Sequence, residues 1–303
     1  MNATPTDMKL FIPESHDPAY CLAAEEHLLT HSSDECVMLW TSEPSVIIGK
    51  FQNPYTEVSL TECERRGIGV YRRNSGGGTV YHDRGNLNYT VFSKKSDNSP
   101  DYKRFLTPII EFLATLGICA EIRDTSALFV DNKKISGSAQ SVVGERVMHH
   151  GTLLFDADLS ALGTLTGHAR EKIVSKAIKS NPSPVTNIRD YLKNDMDIDE
   201  FTQKLGDFLG GENTIFDENE KAAIESLADE KYRTWDWIFG RTPRFTLSSD
   251  GVEITSSHGI IENCSLFSER LVGERLMPDV ILQKLSGITS GDEIIKLITN
   301  IFD

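Results

Sequence analysis

The feature that most constrains the fold is a run of three predicted strands in residues 126–155, SALFVDNKKISGSAQSVVGERVMHHGTLLF. Tight turns at Asp131-Asn132 and Gly144-Glu145 separate the strands, with no helix between them. Strands joined by such short turns pair antiparallel, because a parallel pair needs a long crossover. The run therefore predicts a β-meander and argues against a pure βαβ series.

Helical patterns flank this meander, so the predicted fold class is α+β with mixed sheets. Asp17-Pro18 should cap the first helix, and Gly67 should end the second. Pro108 should kink the helix predicted at 101–117 or mark its start. Further strands are predicted at 44–51, 67–73 and 87–92, and further helices at 197–209 and 219–232. Gly, Thr and Pro cluster near 241–244, and strand patterns and then a helical tail from Pro278 follow. This change predicts two domains, 1–243 and 244–303.

Charge and cysteine content limit the classes of partner. The chain has 45 acidic and 31 basic residues, a net charge of -14. Such a field repels nucleic acid and anionic membranes, so neither is an expected partner, and an anionic ligand needs a local basic cluster. The five cysteines form no CxxC pair, and neither a signal pattern nor an 18-residue apolar run is present. We expect a cytoplasmic protein.

The stretch RRNSGGGTVYHDRGNLNYTVF, residues 72–92, carries the first candidate site. Its three glycines join strand to strand, and their spacing matches neither a P-loop nor a dinucleotide motif. A flexible hairpin loop is one interpretation. The other is an anion-binding nest of main-chain N–H groups, with one of Arg72 and Arg73 reaching a phosphate and the other solvated or structural.

Polar residues beyond the loop have predicted supporting roles. His82 and Asp83 point to opposite faces of a strand, which favours a structural or ligand-orienting role over a catalytic pair. Asn86 and Asn88 share a face and are expected to bond the glycine loop. The eight histidines show no metal-binding spacing.

Lys134 is the second candidate, because the small residues of 136–139 follow it and leave room for a ligand. A lysine here can contact a carboxylate and a phosphate together, although two solvated lysines at a hairpin tip are the alternative. From the residues alone, an anionic, phosphorylated ligand is expected between the loop and Lys134, with the reaction undetermined.

Six stretches occur in an order that resembles bacterial lipoate–protein ligases: PSVIIGKFQNPYTEV, RRNSGGGTVYHDRGNLNYTVF, KKISGSAQ, HHGTLLFDADLS, SPVTN and WDWIFGRTPRF. The resemblance implies a biotin/lipoate-ligase-like catalytic domain in 1–243, with mixed sheets and flanking helices, and a small α+β accessory domain in 244–303. It implies an enzyme that converts lipoate and ATP, with Mg²⁺, to lipoyl-AMP and then lipoylates a carrier lysine. The implied carriers are E2 lipoyl domains of 2-oxoacid dehydrogenases and the glycine-cleavage H protein. The implied state is a cytoplasmic monomer.

The resemblance also assigns site residues by matching position, with Lys134 as the catalytic residue that bridges the lipoyl carbonyl and the α-phosphate. The residues implied for the lipoyl group are Trp40, Val46, Ile48, Gly77 and Lys134, of which the first three fit a hydrophobic core equally well. Metal ligands stay unassigned. The residues implied for the nucleotide or adenylate are Arg73, Ser75, Gly76, Gly77, Gly78, Thr79, Val80, Tyr81, Asn86, Lys134, Gly137, Ser138, His150, Gly151 and Lys176.

Departures from the family pattern keep two other functions open. Ser126-Ala127 stands where the family has Asn-Asp, Cys21 where it has Asn, and Ala177 where it has Gly. Related octanoyl and lipoyl transferases work without ATP through a thioacyl-cysteine, and Cys119 lies at the matching distance, fifteen residues before Lys134. The second alternative is a non-catalytic protein that binds lipoyl-adenylate or the carrier.

Overall fold

The computed structural model describes residues 8–97, 100–166, 173–174, 177, 183–249 and 251–302. Its strands are β1 (Lys9–Phe11), β2 (Cys36–Trp40), β3 (Ser45–Ile48), β4 (Gly69–Arg72), β5 (Val80–His82), β6 (Asn86–Lys94), β7 (Glu121–Arg123), β8 (Ala127–Val130), β9 (Lys133–Val143), β10 (Arg146–Leu154), β11 (Ile173–Val174), β12 (Glu212–Thr214), β13 (Phe245–Ser249), β14 (Val252–Ser257) and β15 (Ile260–Cys264).

The α-helices that the structure describes flank these strands, and every one of them is too short or too polar to cross a membrane. They are α1 (Pro18–His31), α2 (Pro54–Glu57), α3 (Leu60–Arg66), α4 (Tyr102–Thr115), α5 (Leu159–Leu165), α6 (Ile198–Leu209), α7 (Glu218–Leu227), α8 (Trp235–Ile238), α9 (Ser268–Leu271), α10 (Pro278–Leu285) and α11 (Gly291–Phe302).

The largest sheet has the order β12-β1-β2-β6-β10-β9-β8-β7. Strands β8, β9 and β10 pair antiparallel, so the predicted meander is confirmed. Its first turn takes positive φ at Asp131 (47°) and Asn132 (64°), which are residue types that tolerate the left-handed region. The pairs of β1 with β2 and β12 are parallel, which makes this sheet mixed and confirms the predicted α+β class.

A second, smaller sheet in the order β4-β3-β5 brings the glycine loop to the large sheet. Strand β3 pairs parallel with β4 and antiparallel with β5, so the three glycines join two strands of one sheet, as predicted. Gly67 ends α3 in the left-handed conformation before β4 begins, also as predicted. A third sheet, β11-β13-β14-β15, lies in the C-terminal part of the chain.

Helix α4 runs through Pro108, so the expectation that this proline marks the start of the helix is wrong. A proline inside a helix removes one hydrogen bond and costs about 3 kcal/mol. Buried apolar side chains on both sides of it, among them Phe105, Leu106 and Ile109, outweigh that cost by packing into the core.

The residues after the predicted boundary pack on the preceding ones. Tyr55 is buried and stacks on Phe245, with ring centroids 5.1 Å apart, and it also contacts Phe239. A single cluster of buried side chains contains residues from both sides of position 243. The division into domains 1–243 and 244–303 stays a prediction.

Candidate functional site

A cavity of about 360 Å³ opens where the glycine loop and β5 face strands β2, β6, β9 and β10 of the large sheet. It is therefore built from segments far apart in the chain. The predicted site residues that line it are Trp40, Arg73, Gly77, Gly78, Thr79, Val80, Lys134, Gly137, Ser138, His150 and Gly151. Ser75, Gly76, Tyr81, Asn86, Val46 and Ile48 are not in its wall, and Lys176 lies outside the described residues.

Arg73 holds the shape of the glycine loop. One guanidinium nitrogen, Nη2, donates to the carbonyl oxygens of Gly76 and Gly78 at 2.6 and 2.7 Å. Gly77 between them has φ +91°, and a Cβ there would lie 2.9 Å from the same nitrogen, so a side chain is excluded. Burial lowers the pKa of Arg73 to about 10, which leaves it protonated at neutral pH. The loop therefore carries a fixed positive charge at the cavity wall.

A buried chain of hydrogen bonds runs from Arg73 to helix α1. Arg73 Nε donates to Ser75 Oγ at 3.0 Å, and Ser75 Oγ lies 2.6 Å from His150 Nε2. His150 Nδ1 lies 3.0 Å from Oε2 of Glu25, and the other carboxylate oxygen, Oε1, accepts from Thr90 Oγ1. The carboxylate fixes the tautomer with the proton on Nδ1, so Nε2 accepts from the serine hydroxyl. Ser75 therefore acts behind the cavity wall rather than in it.

Glu25 is 2% exposed and lines the cavity, and the sequence-based prediction missed it. Its neighbour Glu26 points elsewhere and binds Lys231 and Tyr232. The two adjacent glutamates look alike in sequence, so only the packing of α1 distinguishes them. The sequence feature that could have indicated a role for Glu25 is the presence of carboxylates in a mostly apolar helical stretch, YCLAAEEHLL.

The main chain of Lys134 is held on both sides by the SPVTN segment. Lys134 N donates to Pro184 O at 2.7 Å, and Thr186 N donates to Lys134 O at 3.1 Å. Its side chain lies over Gly137, where a Cβ would be 3.1 Å from Nζ. The small residue predicted to leave room for a ligand thus leaves room for the lysine itself. Burial lowers the pKa of Lys134, and the nearby Asp124 charge opposes that shift.

Arg72 has the structural role that one of the two arginines was predicted to have. It is fully buried and donates to the carbonyl oxygens of Gln52 at 2.7 Å and Ile238 at 2.6 Å. Further donations reach the carbonyls of Gly49, Lys50 and Trp237. Trp237 Nε1 donates back to Arg72 O at 2.6 Å. The arginine therefore joins the WDWIFG segment to the strand that leads into the glycine loop.

His82 lines the cavity and Asp83 faces away from it. Burial, followed by the nearby Arg73 and His150, lowers the pKa of His82 to about 3, so it is a weak base at neutral pH. Its ring lies edge-on to Trp40, with centroids 5.5 Å apart. The Asp83 carboxylate accepts from the main-chain N–H groups of Gly85 and Asp158. This arrangement supports the predicted structural or orienting roles.

The predicted contact between the asparagines and the glycine loop is wrong. Asn86 Nδ2 donates to Asn88 Oδ1 at 3.1 Å, and Asn88 donates to Trp40 O at 3.3 Å. Both bonds stay within β6 and its neighbour β2 in the large sheet. Only Asn88 reaches the cavity wall.

Strand alternation corrects the predicted apolar slot. All four apolar residues belong to the buried core, but only Trp40 and Ile47 also line the cavity, because Val46 and Ile48 lie on the opposite face of β3 from Ile47. Tyr81 likewise faces away from the cavity, because its neighbours Val80 and His82 on β5 face into it. A shift of one residue exchanges the two faces of a strand, and the sequence of β3 is apolar on both. Leu22 of α1 completes this apolar part of the wall.

Ser126 and Ala127, which depart from the family pattern, lie at the cavity, whereas Cys119 lies outside its wall. Ser126 and Ala127, together with Asp124, line the wall next to Lys134. Ser126 O accepts hydrogen bonds from Ser138 N and Oγ at 2.8 Å. Cys119, the nucleophile of the alternative transferase, is exposed and lies outside the described cavity wall. This placement argues against a thioacyl intermediate on Cys119.

Comparison with known proteins shows what the chain is similar to. Residues 17–210 match the model of the lipoyl protein ligase A/B catalytic domain. A curated relative, the lipoate-protein ligase LplJ of Bacillus subtilis, is 34% identical over 311 aligned positions, which cover 92% of this chain and 94% of that protein.

Two solved structures have the same fold at 25% identity and a TM-score of 0.65. One is a bipartite lipoate protein ligase from Thermoplasma acidophilum, described with its E2 lipoyl domain, and the match covers 77% of this chain and 96% of that one. The other is a lipoate-protein ligase A bound with ATP, where the match covers 77% of this chain and 98% of that one.

Proposed function

The chain belongs to the lipoyl protein ligase A/B family, and we propose from its cavity that it activates lipoate with ATP and transfers the lipoyl group to a lysine of a carrier protein. The observation that carries the proposal is the placement of Arg73, Lys134 and the glycine loop around one cavity that has an apolar wall at Trp40 and Ile47. The carboxylate of lipoate and the phosphates of ATP need the cationic part of this cavity, and the apolar tail of lipoate needs the apolar wall.

The first step forms a mixed anhydride. A lipoate carboxylate oxygen attacks the α-phosphorus of ATP, pyrophosphate leaves, and lipoyl-AMP remains. Negative charge develops on the phosphate oxygens, and fixed cations stabilise it without reorganisation. We assign this role to Lys134, and we assign the loop N–H groups and Arg73 to the phosphates. The hold of the SPVTN segment on the Lys134 main chain supports this assignment, since electrostatic stabilisation depends on a fixed donor.

Mg²⁺ fits this site as an ion that arrives with the nucleotide. Within the described residues, no group of three or more His, Cys, Asp and Glu side chains is placed to hold a metal. Mg²⁺ is commonly held by one or two carboxylates together with substrate phosphates and water. Its ligands here would be phosphate oxygens and water, and when bound it would neutralise part of the phosphate charge.

The second step transfers the lipoyl group to an exposed lysine, which we propose belongs to an E2 lipoyl domain or to glycine-cleavage H protein. The resemblance of the chain to a ligase described with its E2 lipoyl domain supports the first of these. All five cysteines are free, and four are buried, which supports a reducing, cytoplasmic location.

The test is pyrophosphate release on mixing the full chain with lipoate and MgATP, without a carrier. Lipoate-dependent release is expected, and Lys134→Ala should reduce it about 100-fold or more, since a fixed cation at developing charge is worth that much. Lys133→Ala is the matched control, because Lys133 is the exposed neighbour on the same strand. Full activity in Lys134→Ala would refute the assigned role.

The same assay separates the transferase alternative. A ligase should keep its activity in Cys119→Ser, because this thiol is exposed and outside the described cavity wall. Absence of pyrophosphate release, combined with acyl transfer between carriers that is lost in Cys119→Ser, would establish the transferase instead. Lipoyl-AMP binding without turnover would indicate the non-catalytic alternative.

A further inference from the structure

In the second step of the proposed reaction, a positively charged lysine must approach a cavity whose wall is itself positively charged. An acceptor lysine arrives as an ammonium ion, and it becomes a nucleophile only after it loses a proton. The wall that it meets already contains two cations, Arg73 and Lys134. A group that attracts the incoming ammonium and takes its proton is therefore required, and a carboxylate can do both.

Two carboxylates line the cavity in the part of the chain that the structure describes, and one of them is already engaged. Glu25 is buried and accepts from His150 and Thr90. Asp124 is exposed and lines the wall beside Lys134, and its carboxylate has no hydrogen-bond or ion-pair partner among the described residues. An exposed residue that also lines the wall lies at the mouth, where an acceptor lysine must enter.

The local backbone keeps Asp124 at this position. It begins the turn between β7 and β8, and both Asp124 (φ 50°) and Thr125 (φ 69°) are in the left-handed region. Ser126 N donates to Asp124 O at 2.8 Å, and Ser126 O is bonded to Ser138 of β9. A β-branched residue such as Thr125 is rare at positive φ, because this backbone conformation costs free energy. The hydrogen bonds of Ser126 therefore hold the turn in a conformation that is locally unfavourable.

The neighbouring cation does not neutralise Asp124. Arg123 contacts Glu121, donates to Asn132 Oδ1 at 2.7 Å, and lies over the ring of Phe129. The charge that faces Asp124 from the adjacent strand is therefore Lys134. The carboxylate remains available to a second ammonium group at the mouth of the cavity.

We propose that Asp124, exposed at the cavity mouth beside Lys134, receives the acceptor lysine and accepts its proton in the transfer step, an inference that rests on the proposed function. The carboxylate takes one proton from the ammonium, and the nitrogen lone pair forms a C–N bond at the lipoyl carbonyl. The single bond between the carbonyl carbon and the bridging oxygen of the anhydride breaks, and AMP leaves with that oxygen. The new amide nitrogen loses its second proton to water.

The experiment measures the two steps separately in the full chain. Lipoate-dependent pyrophosphate release without a carrier reports adenylation. Single-turnover transfer from enzyme loaded with lipoyl-AMP to a recombinant E2 lipoyl domain reports the second step. Asp124→Asn should slow transfer at pH 7 about 100-fold, the usual contribution of a general base, and should lower the rate of adenylation far less. Transfer should recover as the pH rises toward the ordinary lysine pKa of about 10.4.

Two controls make the result specific. Asp131→Asn changes the same residue type on the next turn, where Asp131 is exposed, has positive φ, and is outside the described cavity wall; it should behave as wild type. Hydroxylamine, a neutral nucleophile at pH 7, should capture the lipoyl group from wild type and Asp124→Asn at equal rates.

Four outcomes would overturn the inference. A parallel loss of adenylation would mean that Asp124 serves Lys134 or MgATP. An equal loss with hydroxylamine would mean that it does not act on the ammonium, and wild-type transfer in Asp124→Asn would mean that it has no role. Absence of pyrophosphate release from the wild-type protein would refute the proposed function itself, and this inference with it.

Discussion

Ser75 Oγ lies 2.6 Å from His150 Nε2, and this contact ties the glycine loop to the buried carboxylate of Glu25 on helix α1. Arg73, on the other side of Ser75, donates its Nε–H to the same hydroxyl at 3.0 Å. The orientation of the loop cation thus depends on a residue that does not itself line the cavity. In this chain, the glycine loop and helix α1 therefore form one hydrogen-bonded unit.

Removal of the Ser75 hydroxyl should therefore impair catalysis through Arg73. In Ser75→Ala, the Arg73 Nε donor and the His150 Nε2 acceptor both lose their partner, which costs about 1–3 kcal/mol of unfolding free energy. We expect lipoate-dependent pyrophosphate release to fall about tenfold or more, measured as kcat/KM for ATP.

Ser93→Ala is the control for this change, because Ser93 is also buried and its hydroxyl bonds only the nearby carbonyl of Lys94 among the described residues. Its kcat/KM should stay near the wild-type value. Equal losses in both variants would show that a general loss of stability, rather than the position of Arg73, causes the effect.

Gly137→Ala should displace the Lys134 side chain without unfolding the protein. The added Cβ would lie 3.1 Å from both Cε and Nζ of Lys134. The flexible end of a lysine can move away, so little stability is lost, but a fixed cation then moves from its place. We expect pyrophosphate release to fall about tenfold or more, because misplaced catalytic groups lose rate steeply.

Gly163→Ala is the matched control, since Gly163 lies in α5 with nothing within 4 Å of its added Cβ. It should keep full activity and gain up to about 1 kcal/mol of unfolding free energy, as alanine favours helix over glycine. Wild-type activity in Gly137→Ala would contradict the claim that Lys134 needs this space.

The sequence allowed prediction of the parts of the fold that local patterns determine. Turn residues defined the meander, Asp17 capped α1 as expected, and the glycine loop and Lys134 meet at one cavity. Local patterns do not decide which face of an apolar strand lines a cavity, and so Ile47 was missed while Val46 was selected.

Long-range partners were also beyond prediction from the sequence. The pairing of Glu25 with His150 spans 125 residues, and either Glu25 or its neighbour Glu26 fits the helical pattern equally well. Residues 184–186 hold the Lys134 main chain through hydrogen bonds that the spacing of these residues in the sequence does not predict. These features require the three-dimensional fold, because the order of the sheet brings the segments together.

Arg72→Met should destabilise the protein strongly. The side chain is fully buried, and its guanidinium donates to carbonyl oxygens of Gly49, Gln52 and Ile238, which would lose their donor. Breaking such a buried charged network costs about 3–5 kcal/mol. Urea unfolding should show this loss, with Arg65→Met as the control, because the Arg65 side chain is 67% exposed. A loss below about 1 kcal/mol would refute the structural role of Arg72.

Acid should destabilise the folded state through two buried histidines. Burial is the largest cause that lowers the pKa of His82 and of His149 from 6.5 to about 3. Between these values the unfolded chain binds more protons than the folded one, so the stability of the folded state falls as the pH drops from 6.5 toward 3. Each histidine should remove up to about 2 kcal/mol of unfolding free energy between pH 7 and pH 5.

His149→Gln isolates this effect outside the cavity, because the His149 ring stacks on Phe105 in the core and is not part of the described wall. Urea unfolding at pH 7 and pH 5 should show a smaller pH dependence in this variant than in wild type, whatever its stability at pH 7. His31→Gln, a change at an exposed histidine at the end of α1, should keep the wild-type dependence. An unchanged difference between the two pH values in His149→Gln would mean that this histidine is not held neutral by the fold.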